Sequence, residues 1–112
     1  MAETFANAKA RLSNTTETDV LAAVPAATTR IVLSVLACNT IDTTSSVDCT
    51  LKITNSSNTS LAELAHTIPI PADSALELVS SKLVLTTGDK LRAISNNASG
   101  FLDFVVSYLD IT

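Results

Sequence analysis

The sequence predicts an all-β domain: an antiparallel β-sandwich, jelly-roll-like, with about eight short strands. Turn signals rich in Asn, Ser, Thr, Gly and Pro recur roughly every 8–12 residues, as they do between the strands of a sandwich. The runs between them are apolar or alternate with period two. No window longer than about ten residues holds the 3.6-residue period of a helix.

The length of the chain indicates one domain, because 112 residues can bury about two thirds of their unfolded surface in a single core. We expect an N-terminal arm over residues 1–17 and the sandwich over residues 18–112. Residues 1–12 contain no apolar run, and the longest apolar run, 31–38, is too short to span a bilayer. The sequence therefore predicts a protein that is made in a cytosol and does not enter a membrane.

The strands in the first half of the chain differ in how many of their faces are apolar. The arm is expected to hold one short strand near Lys9–Leu12. A strand over Thr18–Ala23 ends at Pro25, which cannot donate to a central ladder. The run Thr28–Cys38 is apolar on both faces, so both faces must be covered. One face can join the core, and the other predicts a second cover such as a neighbouring subunit.

The next two strands differ in how clearly they alternate. Residues 46–54 alternate cleanly and predict a half-buried strand. They follow a loop over 39–45, and a loop tip over 55–60 comes after them. In the run 61–70, Leu64, His66, Ile68 and Ile70 fall in one row, which predicts that His66 faces inward or into an interface. A helical turn over residues 61–66 is the alternative.

The last part of the chain predicts four more short strands, at residues 75–79, 82–85, 89–95 and 102–111. The first two could instead be one strand bent at Ser80-Ser81. Between the second and third of them lies Thr86-Thr87-Gly88-Asp89, and a second turn-rich segment covers 96–100. One glycine leading into a strand is not a phosphate loop, which needs several glycines before a helix. We interpret TTGD as a hairpin turn in which Gly88 supplies a positive φ and Asp89 binds local N–H groups. NNASG, residues 96–100, is interpreted as a second hairpin loop.

Side chains that could perform chemistry are few. His66 is the only histidine, and a structural role is favoured over that of a general base. Asp42 and Asp48 flank a loop too poor in oxygen ligands for calcium. Cys38 and Cys49 are expected as free buried thiols, because disulfides are rare in cytosolic proteins. Two cysteines and one histidine also do not supply the ligands of an ordinary zinc site. The sequence thus predicts no catalytic residue, no metal and no cofactor, and an enzyme is the least favoured class.

The composition favours a surface that is partly buried in an assembly, with a monomer that has a Thr-rich β surface as the alternative. Charged residues make up 16% of the chain, and the net charge is −4. Small polar residues replace the missing charges: 16 Thr, 13 Ser and 7 Asn. Interfaces between permanent partners are depleted of charge in the same way. Nucleic acid is not expected as a partner, because the seven basic residues are scattered along the chain.

Four segments together resemble the small β-sandwich virion structural proteins of tailed bacteriophages. Three lie in the second half of the chain: Ile70–Leu78, an Ile-Pro-Ala opening that leads into a strand; Leu83–Leu91, an apolar strand with its Gly-Asp turn; and Val105–Ile111, a closing strand. In the first half, Val24–Val32 follows the same scheme. The resemblance covers about residues 18–112 and brings no catalytic residues with it.

The resemblance implies a protein of the virion that acts by assembly. The expected role is a capsid decoration or cement protein, a trimer bound to the major capsid protein or to other virion proteins. A tail, neck or fibre component is the first alternative. A host-glycan-binding module is the second, although the chain has no Trp and one Tyr on which sugars could stack. End segments of such proteins often reach a neighbouring subunit, so Phe5, Lys9 and Arg11 are the predicted assembly contacts.

Overall fold

The structure, a computed structural model, describes residues 2–12, 14–40, 46–79, 81–96 and 102–112. These residues contain no helix, and hence none that could cross a bilayer. They form nine strands: β1 (Glu3–Leu12), β2 (Thr18–Leu21), β3 (Thr29–Asn39), β4 (Val47–Thr54), β5 (Ser60–Ile70), β6 (Ala75–Val79), β7 (Leu83–Leu85), β8 (Lys90–Ser95) and β9 (Leu102–Ile111).

The strands form two antiparallel sheets. The five-stranded sheet has the order β1-β9-β3-β6, with β7 also paired to β3, and the four-stranded sheet has the order β2-β8-β4-β5. Strands at the same position in the two orders are consecutive in the chain: β1 and β2, β8 and β9, β3 and β4, and β5 and β6. That nested order is a jelly roll, with β7 as an added strand. The predicted fold class is confirmed.

The core lies between the sheets and is made by alternate residues of the long strands. In β9, Leu102, Phe104 and Val106 point inward and are almost fully buried. Leu91 and Ala93 of β8 meet them from the other sheet, also fully buried. Because side chains alternate across a strand, the residues between these form the outer faces of the sandwich.

The observed strands follow the predicted ones closely, except at the N-terminus. There β1 has ten residues, whereas the sequence predicts a short strand near Lys9–Leu12. It is longer because every residue from Glu3 to Leu12 pairs with β9, a partner distant in the chain. Residues 61–66 are part of β5, so the alternative of a helical turn there is wrong. Asn39, predicted to begin the loop over 39–45, is the last residue of β3, and residues 41–45 lie outside the described residues.

A bulge in β5 reverses the predicted orientation of His66. Cys49 pairs with Ile68, but Leu51 pairs with Ala65, so β5 has one extra residue between them. Thr67 accommodates the extra residue by adopting φ +47°. As a result, the alternation of inward and outward side chains along β5 shifts by one position. Ala65 is therefore the buried residue, while the His66 side chain is 70% exposed and lies 2.5 Å from Glu63 Oε2. His66 therefore does not face the core, and whether it faces an interface stays a prediction.

The TTGD turn joins strands of different sheets, so it is not a hairpin. β7 pairs with β3 in one sheet, and β8 pairs with β2 and β4 in the other. Gly88 has φ +90°, and Asp89 N donates to Thr86 O at 3.0 Å. The turn is also bonded to the segment that connects β2 to β3. Gly88 N donates to Val24 O, and Val24 N donates to Asp89 O.

The second predicted hairpin, NNASG, is corrected in the same way. Residues 97–100 lie outside the described residues. The strands that they connect are β8 in the four-stranded sheet and β9 in the five-stranded sheet. This connection therefore also crosses between the sheets.

We expect Gly88→Val to lower the free energy of unfolding by more than about 1 kcal/mol, because a β-branched residue is strained at positive φ. An added Cβ would meet no atom within 4 Å, so the cost comes from the backbone alone. Urea denaturation measures it. Gly88→Asn is the matched control, since Asn tolerates positive φ, and it should lose clearly less. Equal losses for Val and Asn would contradict this explanation.

Asp89 closes the same turn with its side chain. Its Oδ2 accepts hydrogen bonds from Thr86 N at 3.0 Å and Thr86 Oγ1 at 3.2 Å. An Asn side chain offers the same acceptor, so Asp89→Asn should leave assembly almost intact. Loss of assembly with an unchanged unfolding curve would assign Asp89 a functional role instead.

Candidate functional site

The outer face of the five-stranded sheet carries apolar side chains that nothing in the described chain covers. Four of the five large apolar side chains that are exposed in the structure lie on it: Phe5, Leu36, Val84 and Val105. We call this surface the outer face. Its residues come from alternate positions of β1, β9, β3 and β7, whose other positions fill the core.

One apolar row crosses the outer face near one end. Phe5 pairs with Leu109, Leu109 with Ile31, and Ile31 with Val84. Phe5 and Val84 at the two ends of the row are 74% and 59% exposed, whereas Ile31 between them is half-buried. Cross-strand neighbours on one face lie close enough to form a continuous surface.

A second row crosses the face farther along the same strands. Lys9 pairs with Val105, and Val105 with Leu36. Val105 and Leu36 are each 41% exposed. Between the two rows lie small polar residues, with Ser107 paired to Asn7 and Ser34. Among the described residues, the two rows make much of the outer face apolar, with Lys9 at one edge and the exposed Glu77, which pairs with Leu36, at the other.

A charged pair closes the far end of the outer face. Arg11 Nε and Nη2 donate to the two carboxylate oxygens of Asp103 at 2.6 and 2.7 Å. The hydrogen bonds from Arg11 hold the pKa of Asp103 below its usual value, and those bonds likewise raise the pKa of Arg11. The Arg11 side chain is still 60% exposed, so the pair borders the face and does not cover it.

The predicted assembly contacts Phe5, Lys9 and Arg11 all lie on this face, at alternate positions of β1. The structure brings them beside residues that the sequence did not single out, above all Leu36, Val84 and Val105. One sequence signal did point to Leu36: both faces of β3 are apolar. Whether the three residues of β1 contact a partner stays a prediction.

The outer face of the four-stranded sheet is different, because its charges are paired within the chain. Glu17 lies 2.5 Å from Lys52 Nζ and 2.9 Å from Arg92 Nε. Asp19 lies 3.0 Å from Lys90 Nζ. The Arg92 Nε–H is poorly aimed for a hydrogen bond, so its contact with Glu17 is mainly electrostatic. The side chains of Lys52, Lys90 and Arg92 are largely buried in this network.

Arg30 closes one open end of the core. Its Nε and Nη2 donate to the two oxygens of Asp110 at 2.7 and 3.0 Å, and its Nη1 donates to Ala22 O at 2.9 Å. The guanidinium lies 4.4 Å from the centre of the Tyr108 ring, within the range of a cation–π contact. The hydrogen bonds to Asp110 raise the pKa of Arg30 further. With these contacts, five of the seven basic side chains are paired within the molecule.

The remaining candidates for chemistry lie apart from one another. Cys38 and Cys49 are free thiols on strands of different sheets. Burial raises the pKa of the Cys49 thiol to about 12, which leaves it protonated and unreactive near neutral pH. Asp42 lies outside the described residues. Within the part of the chain that the structure describes, no three His, Cys, Asp or Glu side chains are grouped as metal ligands would be.

The sequence matches no family model and no curated protein, but solved structures share its fold. A chain from the acid-stable capsid structure of Helicobacter pylori bacteriophage KHP30 aligns with a TM-score of 0.66 over 99% of this chain and 98% of its own length, at 12% identity. VP2 of infectious bursal disease virus, in a subviral particle, aligns with a TM-score of 0.56 and 12% identity.

The match to VP2 covers 97% of this chain but 32% of the VP2 chain, so it concerns one part of a larger capsid protein. A chain from the endospore appendages of Bacillus, which form disulfide-linked pili, aligns with a TM-score of 0.52 at 15% identity, over 97% of this chain and 89% of that one. At these identities the likeness shows a common fold.

Proposed function

We propose that this protein is a non-enzymatic structural protein of a bacteriophage virion, acting as a capsid decoration or cement protein. The observation that carries the proposal is the uncovered apolar outer face, with Phe5 and Val84 exposed in one row and Val105 and Leu36 in the other. An exposed apolar patch of this kind marks a surface that another protein covers. The fold shared with a phage capsid chain and with VP2 supports a virion as the setting.

The mechanism is multivalent burial of surface. The outer face would cover a junction between major capsid subunits, while the charged face of the four-stranded sheet remains in solvent. We expect a trimer, so that one trimer of the cement protein makes three such contacts at once. Linked contacts raise the overall affinity far above that of each one. The shell is then held against the pressure of the packaged DNA by many contacts of modest strength.

The proposal is tested by mixing the purified protein with empty shells of the virus that encodes it. We expect saturable binding, a molecular mass that is a multiple of three chains in light scattering, and a higher temperature for shell disruption. A protein that does not bind the shells and leaves their stability unchanged would show that the cement role is wrong.

Copy number separates the two virion roles. Hundreds of copies per particle favour the shell, while about six to a few dozen favour the tail, neck or a fibre. The glycan-binding alternative has little support from the geometry, because the Tyr108 ring packs against Arg30. A glycan array with specific hits that disappear in Tyr108→Ala would restore it.

A further inference from the structure

The two sheets have four edges, and three of them are poor templates for another strand. β2 has four residues. The edge opposite β1 is divided between the short strands β6 and β7. β5 contains Pro69 and has three breaks in its register with β4. Proline, bulges and short strands are the usual means by which proteins prevent pairing between edges.

The fourth edge, β1, has none of these protections. It has ten residues without Pro or Gly. Its register with β9 is unbroken from Glu3 opposite Ile111 to Leu12 opposite Leu102. A long, regular edge strand of this kind is a ready template for pairing with another chain.

The backbone of β1 presents its free groups at every second residue. Ala2 and Thr112 exchange both N–H···O bonds, at 3.2 and 2.9 Å. In an antiparallel ladder these pairs alternate, so the even-numbered residues of β1 direct their backbone groups to β9. The N–H and C=O groups of Phe5, Asn7 and Lys9 therefore point away from the sheet. In the described chain β1 pairs with no other strand.

We propose that this edge pairs antiparallel with the β1 edge of a second copy of the chain, about a two-fold axis at Asn7. Asn7 then lies opposite Asn7 of the partner subunit, and Phe5 opposite Lys9 of the partner subunit. The three central pairs supply about six backbone hydrogen bonds, two for each pair. A shift by two residues in either direction would leave one end of the strand unpaired.

The side chains fit this register. Glu3 lies opposite Arg11 of the partner subunit, a pair of opposite charges. The Phe5 ring lies beside the Lys9 stem of the partner subunit, where a cation–π contact can form. Parallel pairing in the same alignment would set Lys9 beside Lys9, and like charges directly opposite each other are unfavourable. The pattern therefore favours a second copy, in antiparallel orientation, as the occupant.

The pairing would join two five-stranded sheets into one and double the outer face. Its hydrogen bonds use backbone groups at the edge, so outside β1 the outer face stays available to other partners. It does not rest on the proposed role in a virion. Its failure would leave that role untouched, and the reverse also holds.

A disulfide across the axis tests the register. We expect Asn7→Cys, in a Cys38→Ser background, to form a linked dimer on mild oxidation, because paired Cα atoms about 5.5 Å apart are within disulfide range. Lys9→Cys, on the same face of the same strand, should not link, because Lys9 does not face its own copy. Ser57→Cys at an exposed loop tip controls for random collision. No link at Asn7, or equal links at Asn7 and Lys9, would overturn the proposal.

The molecular mass in solution provides a second test. Phe5→Lys places like charges opposite each other twice per dimer, so it should weaken association at least about tenfold. The wild-type assembly should then weigh twice as much as the Phe5→Lys assembly at the same concentration. Leu61→Lys, at an exposed apolar position on the other sheet, should keep the wild-type mass.

The fold of each variant is checked by thermal unfolding. A wild-type mass equal to that of Phe5→Lys up to millimolar concentration overturns the proposal and leaves a strand of another protein as the occupant.

Discussion

Replacing Arg30 by Ala should lower the free energy of unfolding by about 2–3 kcal/mol, the largest loss that we expect from a single polar side chain here. The Arg30 side chain is 6% exposed, and its partner Asp110 is 21% exposed. The change leaves the Asp110 carboxylate and the Ala22 carbonyl at the end of the core without their donors. Because Asp110 keeps some contact with water, the loss lies below that of a fully buried pair. Urea denaturation measures the loss from the shift of the midpoint at constant slope.

Arg11→Ala is the matched control for Arg30→Ala. Arg11 makes the same two-pronged contact with an aspartate of β9, Asp103, but at the surface. Exposed pairs contribute little to stability, so this variant should unfold close to wild type. Arg30→Lys adds a second comparison, since lysine keeps the charge but cannot make the bidentate contact with both carboxylate oxygens of Asp110. If Arg11→Ala cost as much as Arg30→Ala, burial would not be the reason for the effect.

Leu36→Glu should reduce binding to empty shells by about thirtyfold or more, the loss typical of a residue at the centre of an interface. Leu36 lies opposite Val105 in the second apolar row of the outer face. A carboxylate there would lose its water on assembly without gaining a partner. The fold should be unaffected within about 1 kcal/mol, because the side chain points outward and is 41% exposed.

The control for Leu36→Glu is Leu61→Glu, in β5 of the other sheet, where the native leucine is 56% exposed. It makes the same chemical change on the face that we expect to remain in solvent, and binding should persist. Binding lost in Leu61→Glu and kept in Leu36→Glu would transfer the assembly surface to the four-stranded sheet. Cosedimentation with shells measures both variants.

The outer face illustrates how far sequence reasoning reaches. The apolar character of both faces of β3 indicated that a second cover is needed, and the structure leaves Leu36 exposed on the side away from the core. The sequence could not show that Val105 and Lys9 continue the same row. That row exists because β1, β9 and β3 are adjacent, and these strands are far apart in the chain.

The ion pairs show the same limit. In the sequence the basic residues look scattered, and Asp103 and Asp110 are two acids on one strand. In the fold, Arg11 in β1 donates to Asp103, and Arg30 in β3 donates to Asp110. β1 and β3 are the two strands that flank β9. Local patterns carry no information on such partners, because the pairs are separated by 92 and 80 residues.

The sequence by itself determined the positions of the strands and the fold class. Alternating side chains and turn residues act over a few neighbours, so they can be recognised locally. It also placed glycine where the chain turns with positive φ, at Gly88. Only the tertiary structure decided which sheet each strand joins, and for that reason TTGD is a crossing between sheets.

Only the tertiary structure, likewise, placed a bulge at Thr67 that turns His66 to solvent, and paired β1 along its whole length. These outcomes depend on register and on contacts between distant segments, whose energies are set once the whole sandwich is packed.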